Sequence, residues 1–335
     1  MRRDPLLFRL GCVTTLLTLF VVVLGAWVRL SDAGLGCPDW PGCYGHLDVP
    51  AAAGEVRAAN EAYPERPVET AKAWKEMIHR YAAGILGLLI AALAIVAVRR
   101  RRHAGSPALA CVLAGVVVFQ ALLGMWTVTL LLKPLIVLAH LLGGLTLLAL
   151  LAWFTLAHAP RLPSMPAPPW LRRLAVASLV VLGLQITLGG WTSTNYAALA
   201  CPDLPTCQGE WWPRTDFASA FVPWHGLGID YEGGILGGPA RTAIHLTHRI
   251  GAIVAALVIG FFAVACMLGG RCPSLRRGGV VLGGLLCLQL GLGLANIAWL
   301  LPLWVATAHN GGAALLLLAH VALLRAFTRS SPDAR

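Results

Sequence analysis

Charge is what this sequence is short of. Asp, Glu, Lys and Arg together make up 12% of its 335 residues, about half the quarter that is usual in soluble domains. With 58% hydrophobic residues besides, an ordinary soluble globule is excluded. Also missing is the two-residue alternation over about ten positions that marks the strands of an outer-membrane barrel, and the apolar runs are too long for it. Glu76 has no companion glutamate in the other apolar spans, which argues against a di-iron carboxylate bundle, where Glu-x-x-His occurs twice with further glutamates facing it. No histidine pair follows the cysteines at zinc-finger spacing, so a finger-type zinc site is disfavoured.

What is present instead is apolar length. Mean hydropathy is +0.73, and the excess runs from Leu10 to Phe327, so one signal peptide cannot account for it. A membrane-crossing helix needs about 20 mostly apolar residues. Eight segments qualify, near 10–30, 77–98, 107–131, 135–157, 174–193, 242–268, 279–300 and 304–325. The expected fold is an all-α integral membrane protein surrounded by membrane lipid.

The net charge of +11 could suggest nucleic acid, but its placement points elsewhere. Arg2, Arg3, Arg9, Arg99 to Arg102, Arg161, Arg172, Arg173, Arg271, Arg276, Arg277, Arg325, Arg329 and Arg335 fall on one side, with only Asp4 and Asp333 as acids. The other side holds the remaining ten basic residues and thirteen acids. By the positive-inside rule both termini and the arginine-rich connections are cytoplasmic; no nucleic-acid partner is expected.

The chain also repeats itself. Gly25 to Cys43 aligns without gaps on Gly189 to Cys207 at an offset of 164, while His79-Arg80, Gln120 and His140 align on His248-Arg249, Gln289 and His309 at an offset of 169. The change of offset falls in the outer loops, where insertions are tolerated. Four spans per repeat is an even number, so the repeat is parallel, with a pseudo-twofold axis along the membrane normal. The expected organisation is a four-helix unit over 1–158, a cytoplasmic linker over 159–173 and a second four-helix unit over 174–335.

An ionisable side chain within a membrane is costly, so the histidines carry functional weight. Of the ten, His46, His103, His158 and His225 fall in loops or at span ends and read as solvated or interfacial. His79, His140, His248 and His309 occupy repeat-equivalent positions on spans two, four, six and eight, roughly 5 to 11 Å inside the outer end at the helical rise. Imidazoles facing one another from opposite helices, with room left by Gly84, Gly87, Gly143, Gly144, Gly251, Gly311 and Gly312, suit the two axial positions of a haem iron. Two haem sites are expected, one per unit. The bland alternative is a set of interhelical hydrogen bonds worth about 0.6 to 2 kcal/mol each. Arg80 and Arg249 are candidates to pair with haem propionates, or they snorkel to headgroups.

One position breaks the match. Glu76 lies one turn before His79, whereas His245 stands at the equivalent place before His248. A carboxylate beside one site alone suggests that the units divide the work, with Glu76 accepting a proton or stabilising positive charge on a substrate; interaction with the helix dipole is the simpler reading. His245 could support the ligands or act as one, and His320 reads as a packing or helix-end group. Cys37 and Cys43, and Cys201 and Cys207, form Cys-x5-Cys pairs in outer loops, where an oxidising compartment favours local disulfides; a redox role for the first pair is the other option. Cys12, Cys111, Cys266, Cys272 and Cys287 read as buried small residues.

The stretch from Trp27 to Gly45, the motif Glu76-Met-Ile-His-Arg80 and the four register-matched histidines together resemble the haem A synthase family, over nearly the whole chain. The resemblance implies a multi-pass enzyme of the bacterial inner membrane with its cysteine loops in the periplasm. It implies oxidation of one methyl group of haem O to a formyl group, through successive hydroxylations to a geminal diol that loses water, giving haem A for cytochrome oxidase. It places the substrate haem on His79 and His140 with Glu76 as the essential acid, and haem B on His248 and His309. It also suggests contact with a haem O synthase and oxidase assembly factors, and a homo-oligomer. The competing readings are a non-catalytic di-haem b-type cytochrome in quinone-linked electron transfer, in which two histidines commonly share one helix, and a transporter, which would leave the matched histidines without an iron.

Overall fold

The structure is a computed structural model that describes residues 4–160, 165, 167–269 and 272–328. Arg2, Arg3, Arg161, Arg271, Arg329, Arg335 and Asp333, and part of the expected linker, lie outside the described residues. The helices are α1 (Pro5–Leu30), α2 (Ala53–Ala62), α3 (Thr70–Arg99), α4 (Arg101–Ala104), α5 (Ala108–Thr129), α6 (Pro134–His158), α7 (Pro169–Thr194), α8 (Phe217–Ala220), α9 (Gly238–Leu268), α10 (Pro273–Ala298) and α11 (Leu303–Phe327). Eight of them, all but α2, α4 and α8, are long and apolar enough to cross a membrane. The chain is therefore a multi-pass membrane protein, with its spans in the predicted order.

Several helices start well before their apolar segments, α3 at Thr70 and α10 at Pro273. Hydropathy sees the stretch that suits hydrocarbon, whereas a helix begins where its first N–H groups can be left open or capped. Proline opens α1, α6, α7, α9 and α10, at positions where its missing donor costs nothing. Asp4 caps α1 by accepting the Leu6 and Leu7 N–H groups at 2.9 and 3.2 Å.

The packing order positions the site. In the first half α1 and α5 each pack against α3 and α6, and in the second α7 and α10 each pack against α9 and α11. Among the described residues, α3 and α6 make no close backbone contact, nor do α9 and α11. Each half is a ring of four helices whose diagonal pair stands apart. Below the diagonal the rings are filled, by Leu86, Ile90, Leu93, Leu113, Leu151 and Phe154 in the first and by Ile259, Phe262, Leu282, Leu286 and Leu323 in the second. The halves meet through α1 on α11, α6 on α7 and α6 on α11, with Leu145, Leu148 and Ala314 buried at that seam.

At the end of the bundle where α1 and α7 finish, the loops are twins. Cys43 and His46 exchange backbone hydrogen bonds, as do Cys207 and Glu210. The two residues between, Tyr44-Gly45 and Gln208-Gly209, all have positive φ, from 53° to 79°, the requirement of a tight two-residue turn. Asp39 accepts the N–H groups of Tyr44 and Gly45 at 2.6 and 2.8 Å, and Asp203 those of Gln208 and Gly209 at 2.6 and 3.0 Å. The Thr206 hydroxyl also donates to Asp203; with the two backbone donors, it holds the Asp203 carboxyl down at a pKa of about 2. The second-half connection then reaches across to the first half. Arg66 pairs with Asp230 and Glu232 at 2.5 and 2.6 Å, the Tyr231 N–H donates to the Leu131 carbonyl at 3.1 Å, and the Lys133 ammonium donates to the Gly226 carbonyl beneath the Trp224 ring.

Two outcomes are expected. A Cβ added at Gly279 would lie 2.6 Å from the Ala263 carbonyl oxygen and 2.9 Å from the Cys266 Cβ, whereas one at Gly284 would meet nothing. Gly279→Val should therefore part α10 from α9 and destabilise the protein by about 1 to 3 kcal/mol, read as thermal unfolding in detergent, with Gly284→Val close to wild type. Because the Asp203 pKa is depressed, its support for the loop is full above the ordinary value of 3.8 and disappears as pH falls through about 2. Asp203→Asn should abolish that acid-dependent step and speed amide exchange at Gln208 and Gly209 at neutral pH.

Candidate functional site

The open diagonals carry the matched histidines. His79 projects from α3 and His140 from α6, and His248 from α9 and His309 from α11. All four side chains are only half-buried although they lie within the rings, unlike His158, His245 and His320, which are buried.

Each ring lies against a glycine of the neighbouring helix. A Cβ at Gly25 would come within 2.9 Å of the His79 Cε1, at Gly189 within 3.0 Å of that of His248, at Gly293 within 3.2 Å of that of His309 and at Gly124 within 3.4 Å of that of His140. The glycines singled out from the sequence do other things. Gly143, Gly251 and Gly312 receive the Gln120, Gln185 and Gln289 amides, while a Cβ at Gly84 or Gly87 would meet nothing. The two repeat offsets carry Gly25 onto Gly189 and Gly124 onto Gly293, so these four could have been found from the sequence.

The residues fit a haem. The Nδ1 atoms of His79, His140 and His309 are buried without a partner while the rings as a whole are only half-buried, which leaves Nε2 as the nitrogen open to a ligand. Two histidines per site are too few for a bare ion but are a ligand set that would hold a haem iron. The gap between diagonal helices gives a flat group a place between the imidazoles.

Above His79 the disulfide loop closes down on α3. The Glu76 carboxylate, 5% exposed, accepts the Cys37 N–H at 2.9 Å and an Arg80 N–H at 2.5 Å. Arg80 also donates to the carbonyls of Asp39, Pro41 and Gly42. The second half has the same construction with different chemistry. His245 Nδ1 accepts the Cys201 N–H at 3.1 Å, and Arg249 donates to the carbonyls of Cys201, Asp203 and Thr206. Both guanidiniums thus fasten the loops, and the Arg249 Nε is left buried and unpartnered. Disulfides join Cys37 to Cys43 and Cys201 to Cys207.

Some readings change. His158 is not solvated: it is 2% exposed, with its ring bonded to the Phe154 carbonyl at 2.9 Å. Cys111 and Cys287 are exposed on the outside of the bundle rather than buried, because a span residue facing lipid need not be covered by protein. His320 is a buried packing group bonded to Ser178 at 2.8 Å. Gln185, which the repeat leaves without a glutamine mate, lies 3.0 Å from the His248 Nδ1.

The sequence pattern of the cytochrome oxidase assembly protein family matches residues 8–321. A haem A synthase of Shewanella oneidensis is 46% identical over 313 residues, 93% of each chain. A haem A synthase of a Caulobacter species is 30% identical over 332 residues, 91% of each, and one of a Chelativorans species is 28% identical over 339 residues, 94% of this chain and 90% of that one. With its eight apolar helices and near end-to-end match, the chain belongs to the cytochrome oxidase assembly protein family.

Proposed function

We propose that this protein is a haem A synthase that oxidises a methyl group of haem O to the formyl group of haem A, for use in cytochrome oxidase. The observation that carries the reading is the single acidic substitution in a duplicated site. Two rings of helices hold equivalent histidines and equivalent loops, yet Glu76 supports the loop of one and His245 that of the other. The names carried by the relatives point the same way and lend no support to a di-haem electron carrier.

On this reading His79 and His140 hold the substrate haem O in the unit spanning 1–158, and His248 and His309 hold haem B in the unit spanning 174–335, the two joined by the 159–173 linker and related by a pseudo-twofold axis. Bound haem B would supply a one-electron couple to the second unit. Glu76 does what a buried, positioned carboxylate can do: one turn from His79, it takes up a proton or stabilises positive charge developing at the substrate. Arg80 holds that carboxylate in place at 2.5 Å while gripping the Cys37–Cys43 loop. Propionate pairing falls to guanidinium donors not already engaged, such as the Arg249 Nε. The disulfides are structural in the first instance, each closing a short loop over the site.

Among the described residues, Arg9, Arg99 to Arg102, Arg172, Arg173, Arg276, Arg277 and Arg325 lie toward the end of the bundle opposite the disulfide loops. That bias supports a bacterial inner-membrane protein with cytoplasmic termini and periplasmic cysteine loops. A haem O synthase is the natural donor of the substrate, oxidase assembly factors the recipients of the product, and a homo-oligomer the assembly in the membrane.

Expression with and without haem O synthesis, followed by chromatography and mass measurement of extracted haems, tests the reading. Hydroxylated and formylated haem should appear only when haem O is made; haem B alone in both cases would favour the electron-carrier alternative. Glu76→Ala should keep both haems bound while formyl product falls by at least about 10²-fold, the lower range for a lost acid–base group. Unchanged product would remove Glu76 from the chemistry.

A further inference from the structure

The surroundings of the four histidines differ between halves beyond the anchors of the loops. His140 and His309 each face a glutamine at the matched position of α5 and α10, Gln120 and Gln289, although only Gln289 reaches its ring, with its amide nitrogen 3.3 Å from the His309 Nε2 and the Gln120 amide nitrogen buried without a partner. At His79 and His248 even the residue type facing the ring differs. Gln185, one turn before Gly189 on α7, places its amide nitrogen 3.0 Å from both the His248 Nδ1 and the His248 carbonyl oxygen. The equivalent position on α1, one turn before Gly25, is Val21, which is buried, and the His79 Nδ1 has no partner. A second residue differs in concert. A Cβ added at Gly251 would overlap the Gln185 amide, and the first-half counterpart of Gly251 is Ala82. The pair Gln185 and Gly251 thus stands where the other half has Val21 and Ala82.

We infer that Gln185 is a positioning residue that locks His248 as a permanent ligand, and that Val21 leaves His79 able to release what it holds. The inference rests on the haem assignment proposed above. An imidazole that binds iron through Nε2 carries its proton on Nδ1, and a fixed acceptor there sets the ring's orientation and raises its basicity. Gln185 can supply that acceptor. Its Oε1 is buried without a partner, and a half-turn of the amide, whose nitrogen and oxygen are interchangeable in shape, brings that oxygen to Nδ1 in exchange for the amide's bond to the His248 carbonyl. A resident cofactor calls for such a lock. A haem that enters as substrate and leaves as product calls for its absence.

The test measures haem release to excess apomyoglobin, together with the midpoint potential of the second-half haem, in the purified full-length protein. Gln185→Val and Gly251→Ala should each speed release of the second-half haem by about ten- to a hundred-fold, the usual effect of losing a ligand's hydrogen-bond partner, and raise its potential. The double variant Val21→Gln with Ala82→Gly should do the opposite in the first half, slowing release of substrate and product haem, a gain that misfolding cannot imitate. Unchanged release and potential in Gln185→Val, with that haem still lost in His248→Ala, would overturn the inference alone. A wild type with no haem lost on His248→Ala would overturn the haem assignment and the inference with it.

Discussion

A polar ring nitrogen in an apolar bundle must have a partner, and the four matched histidines, half-buried within the rings, impose that demand twice in each half. The rest of the arrangement follows from meeting it. α3 stands off from α6 and α9 from α11, the spacing that helices presenting ligands to a group between them would need on the proposed reading. A ring of four helices with an open diagonal must then be held by its edges. Close edges require small residues, and Gly25, Gly124, Gly189 and Gly293 are where the neighbouring helix meets the imidazoles. Away from the diagonal, leucine, isoleucine and phenylalanine fill the rings in the ordinary way.

The loops complete what the helices leave open. Each disulfide loop is anchored from below by a side chain one turn before a ligand histidine and by the arginine directly after it. Loop, anchor and ligand are therefore one mechanical unit, and a change at the anchor is felt at the ligand. Clasps between halves act on the same end of the bundle. Arg29 donates to the Ser193 carbonyl at 2.9 Å and lies over the Tyr196 ring, while Arg66 reaches Asp230 and Glu232. Exposed ion pairs contribute little to stability on their own; here they fix where one half's loop sits on the other.

Much of this was legible in the sequence because hydropathy and self-similarity report on different things. Hydropathy located the eight spans but not their polar extensions, nor α2, which is too polar to register. Repeat offsets found the matched histidines on the open diagonals and the disulfide loops, since what two copies both need, both keep. The same reasoning misjudged the glycines. Gly84 and Gly87 lie beside a histidine in sequence, but a Cβ at either would meet nothing, whereas the glycines that matter sit on a different helix from the ring they touch. The loop-fastening role of Arg80 and Arg249 was equally out of reach, because it depends on carbonyls about forty residues away.

Duplication explains why so few positions can separate two roles. The ring geometry has to be preserved in both halves or neither pair of imidazoles can share a group, so the ligands, their glycines and the turns with positive φ stay matched, down to Asp32 with Tyr196 and Leu131-Leu132 with Leu300-Leu301. Around the histidines, freedom remains at positions that touch a ring or its loop without setting the helix spacing. Glu76 against His245 is one such position, since either side chain can accept the loop N–H. Val21 against Gln185 is another, because the glutamine's extra length is taken up by the space at Gly251 rather than by moving a helix. The first difference places a carboxylate beside one pair of histidines only, and the second puts a glutamine on the ring of His248 alone; on the proposed reading, two changes that leave the backbone alone suffice to give one scaffold a reactive half and a resident one.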